Sequence, residues 1–204
     1  MTTPRDLLLV AMDMPSDRLV DRGDLSLALA AAELIDLLAA KAVTLVDGHI
    51  VPQPHERNTD RLLDEAMAAV LTPAPHETVD DWLWRRGRGL PAVYLAVLEE
   101  EGPLVRETYR RWGLLPGSRL VLADTAGRRR AAQRWSSDEP LLVALAAAVG
   151  LGEEGTPPDH ETPGGAVGVV LESLTHAVEE LAEERRLRAS ALDRANATYR
   201  SRGY

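Results

Sequence analysis

From Leu25 to Ala40 the chain carries polar side chains at only three places, Ser26, Glu33 and Asp36. A helix that apolar must be covered on nearly every side. Asp24, just ahead of it, can cap it by accepting a bond from an orphan N–H of the first turn. After Lys41 the period changes. Ala42 to Val46 alternates as a strand does, Asp47-Gly48 supplies the positive φ values of a two-residue hairpin turn, and His49, Ile50 and Val51 return.

The same pattern continues downstream. Leu7 to Met12 is a short apolar run that reads as a buried strand or the entry to a helix. Leu62, Leu63, Ala66, Met67, Val70 and Leu71 fall on one helical stripe, stopped by Pro73 and Pro75. Thr78 followed by Asp81 imitates a capping box and starts a short helix through Trp82 that ends near Gly87. Pro91 suits the first turn of the next helix, with Gly102 past its end. From Glu107 the chain is strand-like, with a turn expected at Pro116-Gly117 and a return strand through Leu120 to Leu122. Arg128 to Trp135 reads as a basic linker or a short helix, and Ser137 as the cap of a helix from Leu141 to Val149. A Pro, Gly and acid-rich loop over residues 152–165 precedes a last amphipathic helix, with Val167, Val170, Leu171, Leu174, Val178 and Leu181 on one stripe.

In order, the blocks Leu7-Leu-Leu-Val-Ala-Met-Asp13, Leu34-Ile-Asp-Leu-Leu-Ala-Ala-Lys41, Leu62-Leu-Asp-Glu-Ala66, Val79-Asp-Asp-Trp82 and Leu98-Glu-Glu-Glu-Gly-Pro-Leu104 lead to an Arg-rich hairpin closing at Pro116. This order resembles the Golgi phosphoprotein 3 family over roughly residues 5–150. The family's eukaryotic members are peripheral membrane proteins that bind phosphatidylinositol 4-phosphate and retain glycosyltransferases; it also has many bacterial members, with which this chain would be grouped. The resemblance implies a mainly α fold, a single compact helical domain with short β-hairpins, one of them projecting near residues 107–123. Residues 1–152 would form the helical core, and 153–204 an acidic loop and a C-terminal helix packing on it.

Composition changes this picture little. Phe is absent and aromatics are 4%, so Leu, Ala and Val must fill the core, which favours helices. There is no cysteine, so neither disulfides nor thiolate chemistry are available. The N-terminal apolar run, bracketed by Asp6 and Asp13, lacks the form of a signal peptide, and the run from Pro140 to Leu151 is far short of the roughly 20 residues of a membrane span. A soluble, cytoplasmic protein is expected, peripheral on the inner membrane face if it meets a membrane at all.

Charge is more telling in its distribution than in its total of -9. Residues 85–135 hold 11 basic side chains, every one an Arg, against 5 acidic ones, between strongly acidic stretches on both sides. Arg is the side chain whose planar fork suits bidentate phosphate contacts. The island therefore reads either as an anion-binding face or as a set of partners for the acidic stretches.

The resemblance implies a particular phosphate site. In the family an aromatic and an Arg near the first long helix, and two Arg at i and i+3 before an EKG-like turn, hold the lipid headgroup. Aligned on Leu34-Ile35 and Gly102, the corresponding residues are Asp21, Ala30, Arg88 and Pro91. Arg88 alone keeps its side chain, with Arg85, Arg86 and Arg22 near in sequence to supplement it. An Asp at such a site repels a phosphate, which tells against strict phosphatidylinositol 4-phosphate specificity. The hairpin tip, Trp112, Leu114 and Leu115 among Arg residues, would make membrane contact and support self-association into a homo-oligomer, its apolar side chains dipping while the cations stay at headgroup level. Packing of the same residues on the core is the alternative.

Catalysis finds no support in the motifs. His49, His55, His76, His160 and His176 lack metal-ligand spacing, no hydrolase or phosphate-loop pattern occurs, and no cofactor or metal is expected. The expectation is a non-enzymatic adaptor that binds phosphoinositide or other anionic phospholipid headgroups at a membrane surface. Two alternatives remain: a protein-interaction scaffold without lipid binding, and a winged-helix-like nucleic-acid binder. The acidic, buried helix after Asp24 counts against nucleic acid.

Overall fold

The computed structural model describes residues 2–14, 20–55, 60–70, 74–111, 115–151 and 163–202; for 108–111, 115–119 and 195–202 it describes the backbone alone. The apolar stretch that dominates the sequence becomes α2 (Arg22–Ala39), and it is the axis of the molecule. Around it lie α1 (Thr3–Asp13), α3 (Arg61–Ala69), α4 (Val79–Arg86), α5 (Leu90–Glu100), α7 (Pro140–Ala148) and α8 (Gly165–Arg202). Ala28, Ala30, Ala31 and Ala32 are wholly buried along with Leu29, Leu34 and Leu37. Small side chains let the neighbouring helices come close, while the leucines fill the spaces between them. Each fully buried leucine stabilises the fold by about 1.5–3 kcal/mol.

α2 starts one turn earlier than its apolar run suggests. Asp21, not Asp24, is the N-cap, its Oδ1 accepting from the Gly23 N–H at 2.8 Å. Asp24 lies inside the first turn and is free to pair elsewhere. The apolar run at Leu7 is likewise part of a helix, one that begins at Thr3 with Pro4 in its first turn. The charged residues of that turn are buried because each finds a distant partner. Arg5 holds Asp60 at 2.8 Å and also Glu101, and Asp6 accepts from Arg134 at 2.6 Å.

Two antiparallel ribbons flank the helices. β1 (Val43–Val46) and β2 (His49–Pro52) pair in the register Val46 to His49, so Asp47 (φ 50°) and Gly48 (φ 77°) form the tight turn the sequence predicts. The second ribbon, β3 (Leu104–Arg111) and β4 (Leu115–Leu122), differs from expectation. Pro116 and Gly117 lie within β4, opposite Arg110 and Tyr109, and the pairing runs on to Arg111 opposite Leu115. A two-stranded ribbon has two edges, so a proline without an N–H can sit in it at no cost to pairing. Leu104, at the root of β3, is buried, whereas Val105 and Arg106 are exposed. Trp112 and Leu114 of the expected membrane tip lie outside the described residues, as does the side chain of Leu115.

The basic stretch after the ribbon is α6 (Ala126–Ser136), capped by the Thr125 hydroxyl. Ser137 closes that helix and does not open the next; α7 is capped by Glu139, which accepts from Leu142 N at 2.9 Å. α8 buries Val170, Leu171, Leu174 and Ala177 in the same core as α2, with Val167, Val178 and Leu181 packed at its margin. Past Arg185 its described side chains are exposed, Leu187 at 52% and Leu192 at 64%. The acidic loop expected before α8 lies outside the described residues except at its ends.

Caps of this kind carry measurable stability. Thr78 Oγ1 accepts from Asp81 N at 3.1 Å and donates to Asp81 Oδ2 at 2.8 Å. Thr78→Ala is expected to lower the unfolding free energy by about 1 kcal/mol, and Thr78→Ser to restore most of it, as read from urea denaturation.

A candidate anion-binding corner at the start of α2

α4 ends in the sequence Arg85-Arg86-Gly87-Arg88, and its three arginines meet three different fates. Arg86 turns inward. Its Nε and Nη2 donate to the two oxygens of Glu33 at 2.7 and 2.9 Å, and the Tyr94 hydroxyl donates to Glu33 Oε1 at 3.0 Å. Glu33 lies on the buried axis helix with no exposed surface. Burial pushes its pKa up, against the pull of Arg86 and Tyr94. Burial and the same carboxylate raise that of Tyr94 as well.

Arg85 is also engaged. It donates to Glu77 through Nε and Nη2, at 2.6 to 3.0 Å, and to the Ala69 carbonyl at 3.0 Å, and its guanidinium lies 5.4 Å from the Trp82 ring centre. Arg88 points outward, exposed, and carries no carboxylate partner among the described residues. Gly87 sets this arrangement. A Cβ there would stand 2.7 Å from the Leu83 carbonyl and 3.0 Å from that of Ser26, so the end of α4 touches the second turn of α2. Arg22, one helical turn before Ser26, is exposed and likewise without a carboxylate partner among the described residues.

A third arginine reaches the start of α2 from the far end of the chain. Arg185 of α8 donates to Asp21 Oδ1 at 2.6 Å and to both oxygens of Asp24 at 3.0 Å, and the bond to Asp24 raises its pKa. Gly23 makes the approach feasible, since a Cβ on it would lie 2.7 Å from Arg185 Nη2 and 2.8 Å from Leu181 Cδ2. At the N-terminus of this 18-residue helix, whose dipole favours anions, the Arg185 guanidinium thus meets two carboxylates, and the exposed Arg22 adds a cation in the same turn. Sequence reasoning missed Arg185. Its only trace in the chain is one of charge, since residues 185–204 hold 6 basic side chains against 1 acidic one.

Residues 4–198 match the family model described as Golgi phosphoprotein 3 (GPP34). The chain belongs to that family. No curated protein matches the chain as a relative. Of the positions aligned with the family's phosphate site, Ala30 is wholly buried and its carbonyl accepts the Trp82 indole N–H at 3.0 Å. Pro91 is buried in the first turn of α5. In this Golgi phosphoprotein 3 family member, then, Asp21 and Arg88 are the two aligned residues exposed at the surface.

Among its described side chains, the Arg island is mostly neutralised by carboxylates. Besides Arg85 and Arg86, Arg106 pairs with Glu99, Arg128 with Asp13, Arg129 with Asp124 and Arg134 with Asp6 and Glu139. The described exceptions are Arg88 and Arg130.

Two measurements probe the buried cluster. Arg86→Met strands the Glu33 carboxylate and is expected to cost about 3–5 kcal/mol of stability. The triple variant Glu33→Leu, Arg86→Met, Tyr94→Phe, which leaves no polar group behind, should recover most of that loss in the same denaturation experiment. The pH dependence has a definite sign. With the Glu33 pKa above its ordinary 4.5 in the folded state, its stabilising contribution is whole below 4.5 and is lost as pH rises through the folded value. Glu33→Gln lacks that decline. The stability gap, wild type minus variant, should therefore shrink as pH rises above 4.5 in urea midpoints, and a gap that widens contradicts the assigned direction.

Proposed function

We propose that this Golgi phosphoprotein 3 family member acts by binding, as a peripheral adaptor at an anionic membrane surface on the cytoplasmic side, and not as an enzyme. The observation that carries the reading is that Arg22 and Arg88 are both exposed, Arg22 one helical turn before the Ser26 carbonyl on which Gly87, the residue before Arg88, rests. Guanidiniums that lack a carboxylate of their own keep their donors for phosphate oxygens. The α2 N-terminus adds to the attraction. No described helix is long and apolar enough to cross a membrane, which suits contact with a surface. In this reading Arg85 and Arg86 hold the framework through Glu77 and Glu33, and Arg88 and Arg22 meet the headgroup. The 112–115 tip provides a second, shallow contact as the family pattern suggests.

Asp21 shapes the specificity. Its carboxylate is the N-cap of α2, next to Arg22 in the chain and bonded to Arg185, so a general anionic surface fits better than a single, tightly held phosphatidylinositol 4-phosphate. The same observation favours a second reading, a protein-interaction scaffold without lipid binding, in which Arg185 closes the corner onto Asp21 and Asp24.

Co-sedimentation with neutral vesicles, phosphatidylserine vesicles and phosphatidylinositol 4-phosphate vesicles, each at low and at high salt, tests the proposal. Capture by both anionic vesicles, weakened by salt, is expected. Arg88→Ala and Arg22→Ala should each weaken it about tenfold, the effect of removing one charge-assisted hydrogen bond to a phosphate. Unchanged binding in the double variant would remove the corner from the mechanism, and no capture by any vesicle would leave the scaffold.

A further inference from the structure

Away from that corner, a cavity of about 240 Å³ opens between the C-terminal half of α1 and α6. Leu9, Val10, Met14, Ala132 and the half-buried Trp135 form its walls, with Asp13 and Arg128 on its one charged side. The volume is below the roughly 300–1,000 Å³ of pockets for drug-sized ligands, so it suits one ring or one short chain.

The charged side selects the ligand further. Arg128 stands in the first turn of α6, where its charge adds to the positive end of the helix, and Arg129 and Arg130 follow it. Its guanidinium spends one donor on Asp13 Oδ1 at 2.6 Å and one on the Leu122 carbonyl at 3.3 Å. The fork has five donors, so some remain for a guest. Asp13 is a replaceable partner. It is 43% exposed and is the last residue of α1, where the helix dipole disfavours a carboxylate. An apolar chamber with a single guanidinium at its edge fits an amphipathic monoanion. A dianionic phosphate would meet only one arginine and the repulsion of Asp13.

We propose that the cavity between α1 and α6 is a binding site for a small amphipathic carboxylate, its tail against Trp135 and its head on Arg128. The ligand would take over, or share, the guanidinium now turned toward Asp13. Because Arg128 also holds the end of β4 through the Leu122 carbonyl, the guest would sit at the root of the second ribbon.

Calorimetric titration of the full chain with octanoate tests this, with octan-1-ol and octylammonium as matched probes. Saturable one-to-one binding of octanoate is expected, with both other probes weaker by about tenfold or more because neither offers an anion to the guanidinium. Arg128→Gln should weaken octanoate by a similar factor. Ala132→Leu, on the exposed lip and therefore safe for folding, should abolish binding by filling the chamber. Asp13→Asn should leave it equal or tighter. The site is overturned if octanol binds as well as octanoate, if Ala132→Leu binds as wild type does, or if octanoate gives no saturable heat. None of these outcomes bears on vesicle binding at the α2 corner, which uses other residues.

Discussion

The rest of the structure depends on the enclosure of one helix. α2 is so apolar that it is stable only when surrounded, and six other helices supply the cover. Its one wholly buried charge, Glu33, would be intolerable alone in that position, since an unpaired carboxylate in a low-dielectric interior is strongly disfavoured. Arg86 and Tyr94 answer it from α4 and α5. This cluster fixes how the ends of two helices sit on the axis, and Trp82, donating to the Ala30 carbonyl, fixes α4 a second time. With α4 held in this way, Gly87 rests on Ser26 of α2 and the next residue, Arg88, is exposed. The position of the surface arginine is thus a consequence of a buried ion pair.

The same economy runs through the charged residues generally. A basic island between acidic stretches invites the idea of a cationic surface, yet most of its described arginines bridge to carboxylates, and Arg86, Arg128 and Arg134 do so to Glu33, Asp13 and Asp6, far away in sequence. These bridges tie α6 to α1 and secure the N-terminal helix whose first turn is buried. Among the described residues, what remains for partners includes Arg22 and Arg88, Arg130, and the free edge of Arg128. At the α2 corner Arg185 complicates the field, because it neutralises Asp21 and Asp24 while adding a guanidinium of its own. The proposed site keeps Arg88 of the positions aligned with the family pattern and differs at Asp21, Ala30 and Pro91.

Much of the fold is legible in the order of residues because its signals are local. The Asp47-Gly48 turn, the Thr78 cap, the stop at Gly87 and the stripe from Val167 to Leu181 each follow from spacing over a few residues, and the structure has them at those positions. The misplacements are also local in origin. Asp24 and Ser137 look like caps, but Asp21 and Glu139 have the geometry that takes the orphan N–H groups, and several competent residues within one turn cannot be ranked by type alone. Pro116-Gly117 has turn composition, yet pairing from Leu104 to Leu122 sets a register that carries both residues into β4.

The sequence by itself determined that the chain is mainly helical, that one helix is the core, that two hairpins flank the helices, and that the order of its blocks is that of the Golgi phosphoprotein 3 family. All of these depend on periodicity or on motifs within a few turns. Only the tertiary structure decided which arginines are spent and which are free. Arg85, Arg86 and Arg88 are equivalent as letters, and they differ because Glu77, Glu33 and open solvent lie in three directions from the end of one helix. The reach of Arg185 across the chain to Asp21 and Asp24, and the chamber beneath Arg128, belong to the same class. Residues more than a hundred positions apart that meet in space leave no periodic trace in the chain, because their proximity is created only when the helices pack.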